Sequence, residues 1–162
     1  PDRHRSGHPG FVPYEAFDTA DAPILICCGN DRLFAKFATE LGRPDWPTDA
    51  RFASNRARLA NKAALVDLMA PLLQTQPRAA WIARFEAAGV PCAPVHTVPE
   101  ALAHPQVQAL GLLQPVPGED FRLTALPLTV DGQRPGLRGG APRLGEHNSA
   151  HGLPAPAKTD HP

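Results

Sequence analysis

This 162-residue chain has no excess of charge of either sign, with 16 basic side chains against 16 acidic ones. Nucleic-acid binding needs a basic field, so that class of function is excluded. Only three of the cations are lysines (Lys36, Lys62 and Lys158), and the arginines are scattered among the acids. No apolar run approaches the roughly 20 residues of a membrane helix, and no secretory pattern opens the chain. Cysteine is scarce too. Cys27 and Cys28 are adjacent, which strains a mutual disulfide, and Cys92 stands alone with no C-x-x-C spacing. With Ile24 and Ile26 beside the pair, the thiols are expected to be buried and inert in a reduced, cytoplasmic protein. Methionine occurs once, at Met69, and the first residue is Pro1. Removal of an initiator explains that, as does a chain that is part of something longer.

Proline and glycine, by contrast, are plentiful: 20 and 13 residues, concentrated near the two ends. The length allows one domain with a tail. Residues 1–10 read as a loop, residues 11–126 as a small α+β domain, and residues 127–162 as an extended connector, poorly ordered alone. Residues 11–17 and 24–28 form strand-length runs around a turn, with Pro13 placing the first at an edge. Asn30 or Asp31 caps a helix on which Leu33, Phe34, Phe37, Ala38 and Leu41 recur, and Gly42 ends it.

A second helix begins at Asn61, with Ala64, Leu65, Leu68, Met69 and Leu72 on one face; Pro71 should bend or end it. A third runs over residues 77–88, with Pro77 in its first turn, Trp81, Ile82 and Phe85 as its stripe, and Gly89 as its stop. Nine of these side chains, from Leu33 to Phe85, are expected to converge in one core between three helices. Residues 90–95 are extended, residues 99–110 hold one or two short helices broken at His104-Pro105, and residues 112–116 and 121–124 suggest a second hairpin. The class is α+β, with three central helices flanked by short antiparallel strands.

Chemistry is harder to find. His4 and His8 lie four apart, as do His147 and His151, but neither pair sits in a credible helix and no companion Glu follows, so no metal site is expected. His96 and His104 read as turn or cap residues in preference to catalytic bases. There is no nucleophile elbow, Walker loop or dinucleotide fingerprint. Glu119-Asp120 is a hairpin tip. Leu144-Gly-Glu-His147 could transfer a proton, but reads more simply as a turn that docks against something.

Taken in order, however, several segments carry a resemblance. Gly7-His8-Pro9, Val12-Pro13-Tyr14 and Phe17-Asp-Thr-Ala-Asp21 resemble the opening of the small domain of class III (formyl-CoA and carnitine-type) CoA-transferases. Cys28-Gly-Asn-Asp-Arg32 with Phe34 resembles that family's next strand-to-helix junction. Asp49-Ala-Arg-Phe-Ala-Ser-Asn-Arg56 resembles its D-x-R-F-x-x-N-x-x-R connection. Ala87-Ala-Gly-Val-Pro-Cys-Ala-Pro-Val95 resembles its G-[IV]-P-C-x-P-V segment, His104-Pro-Gln-Val107 the helix after it, and Leu144-Gly-Glu-His147 its L-G-E-H-T close.

The resemblance implies the C-terminal portion of such an enzyme, whose large domain, most of the CoA site and aspartate nucleophile precede the matched region. No catalytic residue is then expected in this chain, and the chain alone should be inactive. In the family the aspartate attacks an acyl-CoA thioester, a mixed anhydride forms, CoA returns to make an enzyme-bound thioester, and an acid takes the CoA. The segment before Pro9 matches the glycine-rich loop that lies over the formyl-CoA transferase active site. That makes Gly7 and His8 the substrate-loop candidates. One glycine stands there where that branch has a run, which argues against a formyl-CoA/oxalate substrate.

The resemblance further implies acyl-CoA and carboxylate substrates, coenzyme A as a substrate and not as a tightly bound cofactor, and an interlaced homodimer. The tail would cross back to the large domain. Two alternatives stay open: part of an α-methylacyl-CoA racemase-like enzyme, or a non-catalytic binding or dimerisation module or truncated pseudo-enzyme.

Overall fold

The structure is a computed structural model, and it describes residues 6–155. Its contacts divide the chain into two units, Pro1–Val95 and His96–Pro162.

The first unit is a three-stranded antiparallel sheet covered by helices. Strand β1 (Tyr14–Phe17) pairs with β2 (Ile24–Cys27) in the register Tyr14 to Cys27, and β2 pairs with β3 (Cys92–Pro94) on its other side. The order β1-β2-β3 makes β1 an edge strand, which is where Pro13 can precede it without breaking a ladder. Ile24 and Ile26 alternate inward and are fully buried.

Helix α1 (Asp31–Glu40) starts where the Asn30 carboxamide accepts from the Leu33 amide at 2.9 Å, and Gly42 follows its end at φ +75°. The short α2 (Asn55–Ala60) is capped by Ser54, and α3 (Lys62–Leu73) and α4 (Arg78–Ala88) complete the layer. Phe34, Phe37, Leu65, Met69, Leu73, Trp81 and Phe85 are buried together with Val12, Trp46, Phe52 and Val90, while Leu33, Leu68, Leu72 and Ile82 pack partly buried against them. The Phe37 and Phe85 rings lie 5.4 Å apart, and Phe85 stacks on Trp81 at the same separation.

Helices α1 and α4 cap each other. The Lys36 ammonium donates to the Ala88 carbonyl at 2.8 Å, and the Arg84 guanidinium donates to the Glu40 carbonyl, satisfying ends that a helix leaves open.

Four local expectations are corrected. Asn61 makes no side-chain cap for α3; its amide donates backwards to the Ala57 carbonyl at 2.9 Å and so closes α2, a helix the apolar period does not show. Pro71 does not end α3. The helix continues to Leu73 because Leu73 is buried and its carbonyl accepts from the Trp81 indole at 2.7 Å. Pro77 is the residue before α4 and not its first turn. Ala64 is exposed, since the buried face is set by Leu65, Met69 and Leu73.

The second unit holds α5 (Val98–Ala103) with a Thr97/Glu100 capping box, then α6 (Pro105–Ala109) capped by His104. A hairpin of β4 (Leu113–Pro115) and β5 (Arg122–Thr124) follows. His104 is therefore a cap, its Nδ1 accepting from the Gln106 amide at 3.1 Å. Among the described residues of this unit only Val116 is buried, and Val98, Phe121, Leu123, Leu126, Val130 and Leu144 are exposed.

Candidate functional site

Of the two site candidates, Gly7 is half-buried and His8 exposed, on a loop that is closed on itself before β1. The His8 amide donates to the Tyr14 carbonyl at 2.9 Å, and the Gly10 amide donates to His8 Nδ1 at 2.9 Å. Because Nδ1 accepts, the neutral ring carries its proton on Nε2. The imidazole lies 5.0 Å from the Phe11 ring and 5.2 Å from the Tyr14 ring. Gly10 packs close to it, a Cβ there meeting His8 Cε1 at 3.4 Å. Such a histidine can donate a hydrogen bond to a carboxylate or thioester oxygen. Its Nδ1 is already occupied by the Gly10 amide, which leaves Nε2–H as the donor that the ring presents.

The loop is held by Asn55 and Arg58. Asn55 Nδ2 donates to the Gly10 carbonyl at 2.8 Å, and its Oδ1 accepts from the Val12 amide at 3.2 Å. Arg58 is fully buried; its Nε donates to the Val12 carbonyl at 2.7 Å and its Nη1 to the Phe52 carbonyl at 2.9 Å. Nη2 reaches Asp31 Oδ1 at 2.8 Å, and the same oxygen accepts from the Asn55 amide at 2.9 Å. The guanidinium also lies 4.2 Å from the Phe34 ring centre.

The R-F-x-x-N-x-x-R spacing is thus a structural device. Arg51 pairs with Asp49, Phe52 enters the core, and Asn55 and Arg58, one helical turn apart, face the loop. The D-x-R-F-x-x-N-x-x-R spacing was the signal the sequence offered for these residues. It could not show which backbone, some 45 residues away, they bind.

The thiols differ among themselves. Cys28 is buried and its thiol is pushed up to about 12, mainly by desolvation. Cys92 is half-buried and raised for the same leading reason, while Cys27 is half-buried beside Tyr14. The expectation of buried thiols holds fully only for Cys28.

His4 lies outside the described residues. His147, with Glu119, Arg138, Arg143 and Glu146, lines a groove of about 500 Å³ in the second unit, and His151 ends a short 3-10 turn. No helix of the described residues is long and apolar enough to cross a membrane.

Comparison with known proteins gives this arrangement its context. The sequence profile of CoA-transferase family III matches residues 1–148. The acetyl-CoA:oxalate CoA-transferase of Acetobacter aceti is 36% identical over 151 residues, which cover 93% of this chain and 38% of that protein. The succinate–glutarate CoA-transferase of Agrobacterium fabrum is 30% identical over 152 residues, covering 92% and 38% respectively. A crystal structure of a CAIB/BAIF family protein from Brucella suis superposes with a TM-score of 0.77 at 34% identity, over 93% of this chain and 39% of that one. The chain therefore spans about two fifths of the length of these relatives. With the ordered segments, the fold and the profile in agreement, the chain belongs to CoA-transferase family III.

Proposed function

We propose that this chain is the C-terminal part of an enzyme that moves coenzyme A between an acyl-CoA and a carboxylic acid. The observation that carries the reading is the family match over residues 1–148. The relatives described above are named as CoA-transferases, which favours transfer over the racemase alternative. The reaction proceeds through an aspartyl anhydride and an enzyme-CoA thioester, with the nucleophile supplied by the portion of the protein that precedes the matched region. A carboxylate nucleophile needs a desolvated site with donors at the developing oxyanion.

In this reading the loop carrying Gly7 and His8 covers that site, and His8 Nε2 is a donor toward substrate. Coenzyme A enters as a substrate, and the complete enzyme is an interlaced homodimer. The exposed apolar side chains of the second unit, Phe121, Leu123 and Leu144 among them, support a larger assembly, because they have no core of their own. The acceptor is assigned only as a carboxylic acid. The single glycine before His8 counts against oxalate, whereas similarity to an acetyl-CoA:oxalate enzyme counts the other way.

The test is made on the complete protein. Transfer of CoA from acetyl- or succinyl-CoA to a panel of dicarboxylates, with hydroxylamine trapping of an acyl-enzyme, is expected there. Neither is expected with residues 1–162 alone. Activity in the isolated chain, or epimerisation of a 2-methylacyl-CoA without transfer by the complete protein, would overturn the assignment.

A further inference from the structure

We infer that Asn55 and Arg58 are positioning residues that clamp the loop before β1, so that His8 is presented on a fixed surface and not on a mobile lid. The inference rests on the proposed function for its catalytic consequence, but the clamp itself stands on geometry. Three main-chain groups of the loop are bound by side chains of one short helix: the Gly10 carbonyl and Val12 amide by Asn55, and the Val12 carbonyl by Arg58. The loop then continues into β1 and β2 through the Cys28 amide, which donates to the Pro13 carbonyl at 2.8 Å. Its near end is tied as well, since the Ala16 amide donates to Ser6 Oγ at 3.2 Å.

The clamp has its own anchor. Arg58 is fully buried and Asp31 fixes its free end, while Asp31 also accepts from the Asn55 amide. One carboxylate at the start of α1 therefore sets both clamping residues. A loop so held loses its conformational entropy on folding and not on substrate binding, which is how pre-organisation favours a defined donor geometry. It also keeps water from entering beneath the loop.

The test has two arms. In residues 1–162, amide hydrogen exchange is followed with Asn55→Ala, Asn55→Asp and, as a control away from α2, Thr75→Ala. Asn55→Ala removes both contacts, and loss of hydrogen bonds of ordinary strength should speed exchange at residues 10–12 by a factor of about 5–30. The Trp81 and Phe85 amides should be unaffected. Asn55→Asp retains the acceptor for the Val12 amide but loses the donor to the Gly10 carbonyl, and should restore protection at Val12 but not at the neighbouring Gly10 and Phe11 amides. Thr75→Ala should leave the loop unchanged. Unchanged exchange in the loop, or an equal rise throughout the molecule, would overturn the clamp.

In the complete protein, Asn55→Ala should raise the ratio of acyl-CoA hydrolysis to CoA transfer, with Asn55→Asp intermediate. Loss of general stability would lower both rates together, so an unchanged ratio would overturn the positioning role. A wild-type complete protein that transfers no CoA would remove the functional reading, and the exchange arm would still decide the clamp.

Discussion

Cys28 shows how one atom's surroundings fix its chemistry. It directly follows β2 with no exposure, and burial raises its thiol to about 12 although the Arg58 charge acts in the opposite direction. An unfolded chain titrates this thiol at its ordinary value, so between that value and about 12 the unfolded state binds fewer protons than the folded one. Stability should therefore fall as pH rises through the alkaline range. The urea midpoint, measured from pH 8 to 10.5, should decline less steeply in Cys28→Ala than in the wild type. An identical decline in the two would refute this. Alkylation in the native state should also spare Cys28 relative to the half-buried Cys27 and Cys92, because only the thiolate of an accessible thiol reacts.

Elements here are finished by residues far away in the chain. Helix α4 begins after Pro77, which has no capping side chain, and the Asp21 carboxylate accepts from the Arg78 amide at 2.7 Å instead. That bond, with the Thr19 hydroxyl behind it, holds the Asp21 carboxyl below the usual range. A lowered carboxylate contributes stability that is present at neutral pH and lost as pH falls through the carboxylate range. Asp21→Ala should lower the thermal midpoint at pH 7 and reduce its loss between pH 5 and pH 3. An unaltered acid limb would show that the cap contributes nothing.

Packing between elements is graded in the same way. Leu65 and Phe85 are fully buried, whereas Leu68 lies at the edge of the core. Leu65→Ala should cost about 2–5 kcal/mol and Phe85→Ala about 3–5 kcal/mol. Leu68→Ala should cost less than either, as read from urea midpoints. Equal costs at Leu65 and Leu68 would contradict the graded burial.

Across the whole molecule the two units differ in what supports them. The first has a continuous core from Val12 to Val90, and the second has Val116 alone among its described residues. Ordering a backbone costs about 1–2 kcal/mol per residue, which a segment without burial cannot offset from its own contacts. Limited trypsin digestion of residues 1–162 should cut after Arg122, Arg138 and Arg143 before any site in residues 31–88. First cleavage among α1, α3 and α4 would reverse this ranking of the units.

The sequence by itself determined the family, because six short motifs in order survive without knowledge of their contacts. It also determined α1, the first hairpin and the helix break at His104-Pro105, since their caps, stops and periods are local, and of α4 it determined the apolar stripe and the Gly89 stop but not the cap. It placed Gly7 and His8 on a loop ahead of β1 through Pro9 and Gly10. Only the tertiary structure decided that β3 joins the far side of β2, that Asn61 closes α2 in place of opening α3, and that α3 passes through Pro71. Each outcome depends on a partner distant in sequence. The role of Asn55 and Arg58 belongs to the same class: their types and spacing were legible, but the backbone of Gly10 and Val12 meets them only after the sheet and α1 have packed. Local rules act over a few residues, whereas a buried guanidinium finds its acceptors only when the chain between them has folded.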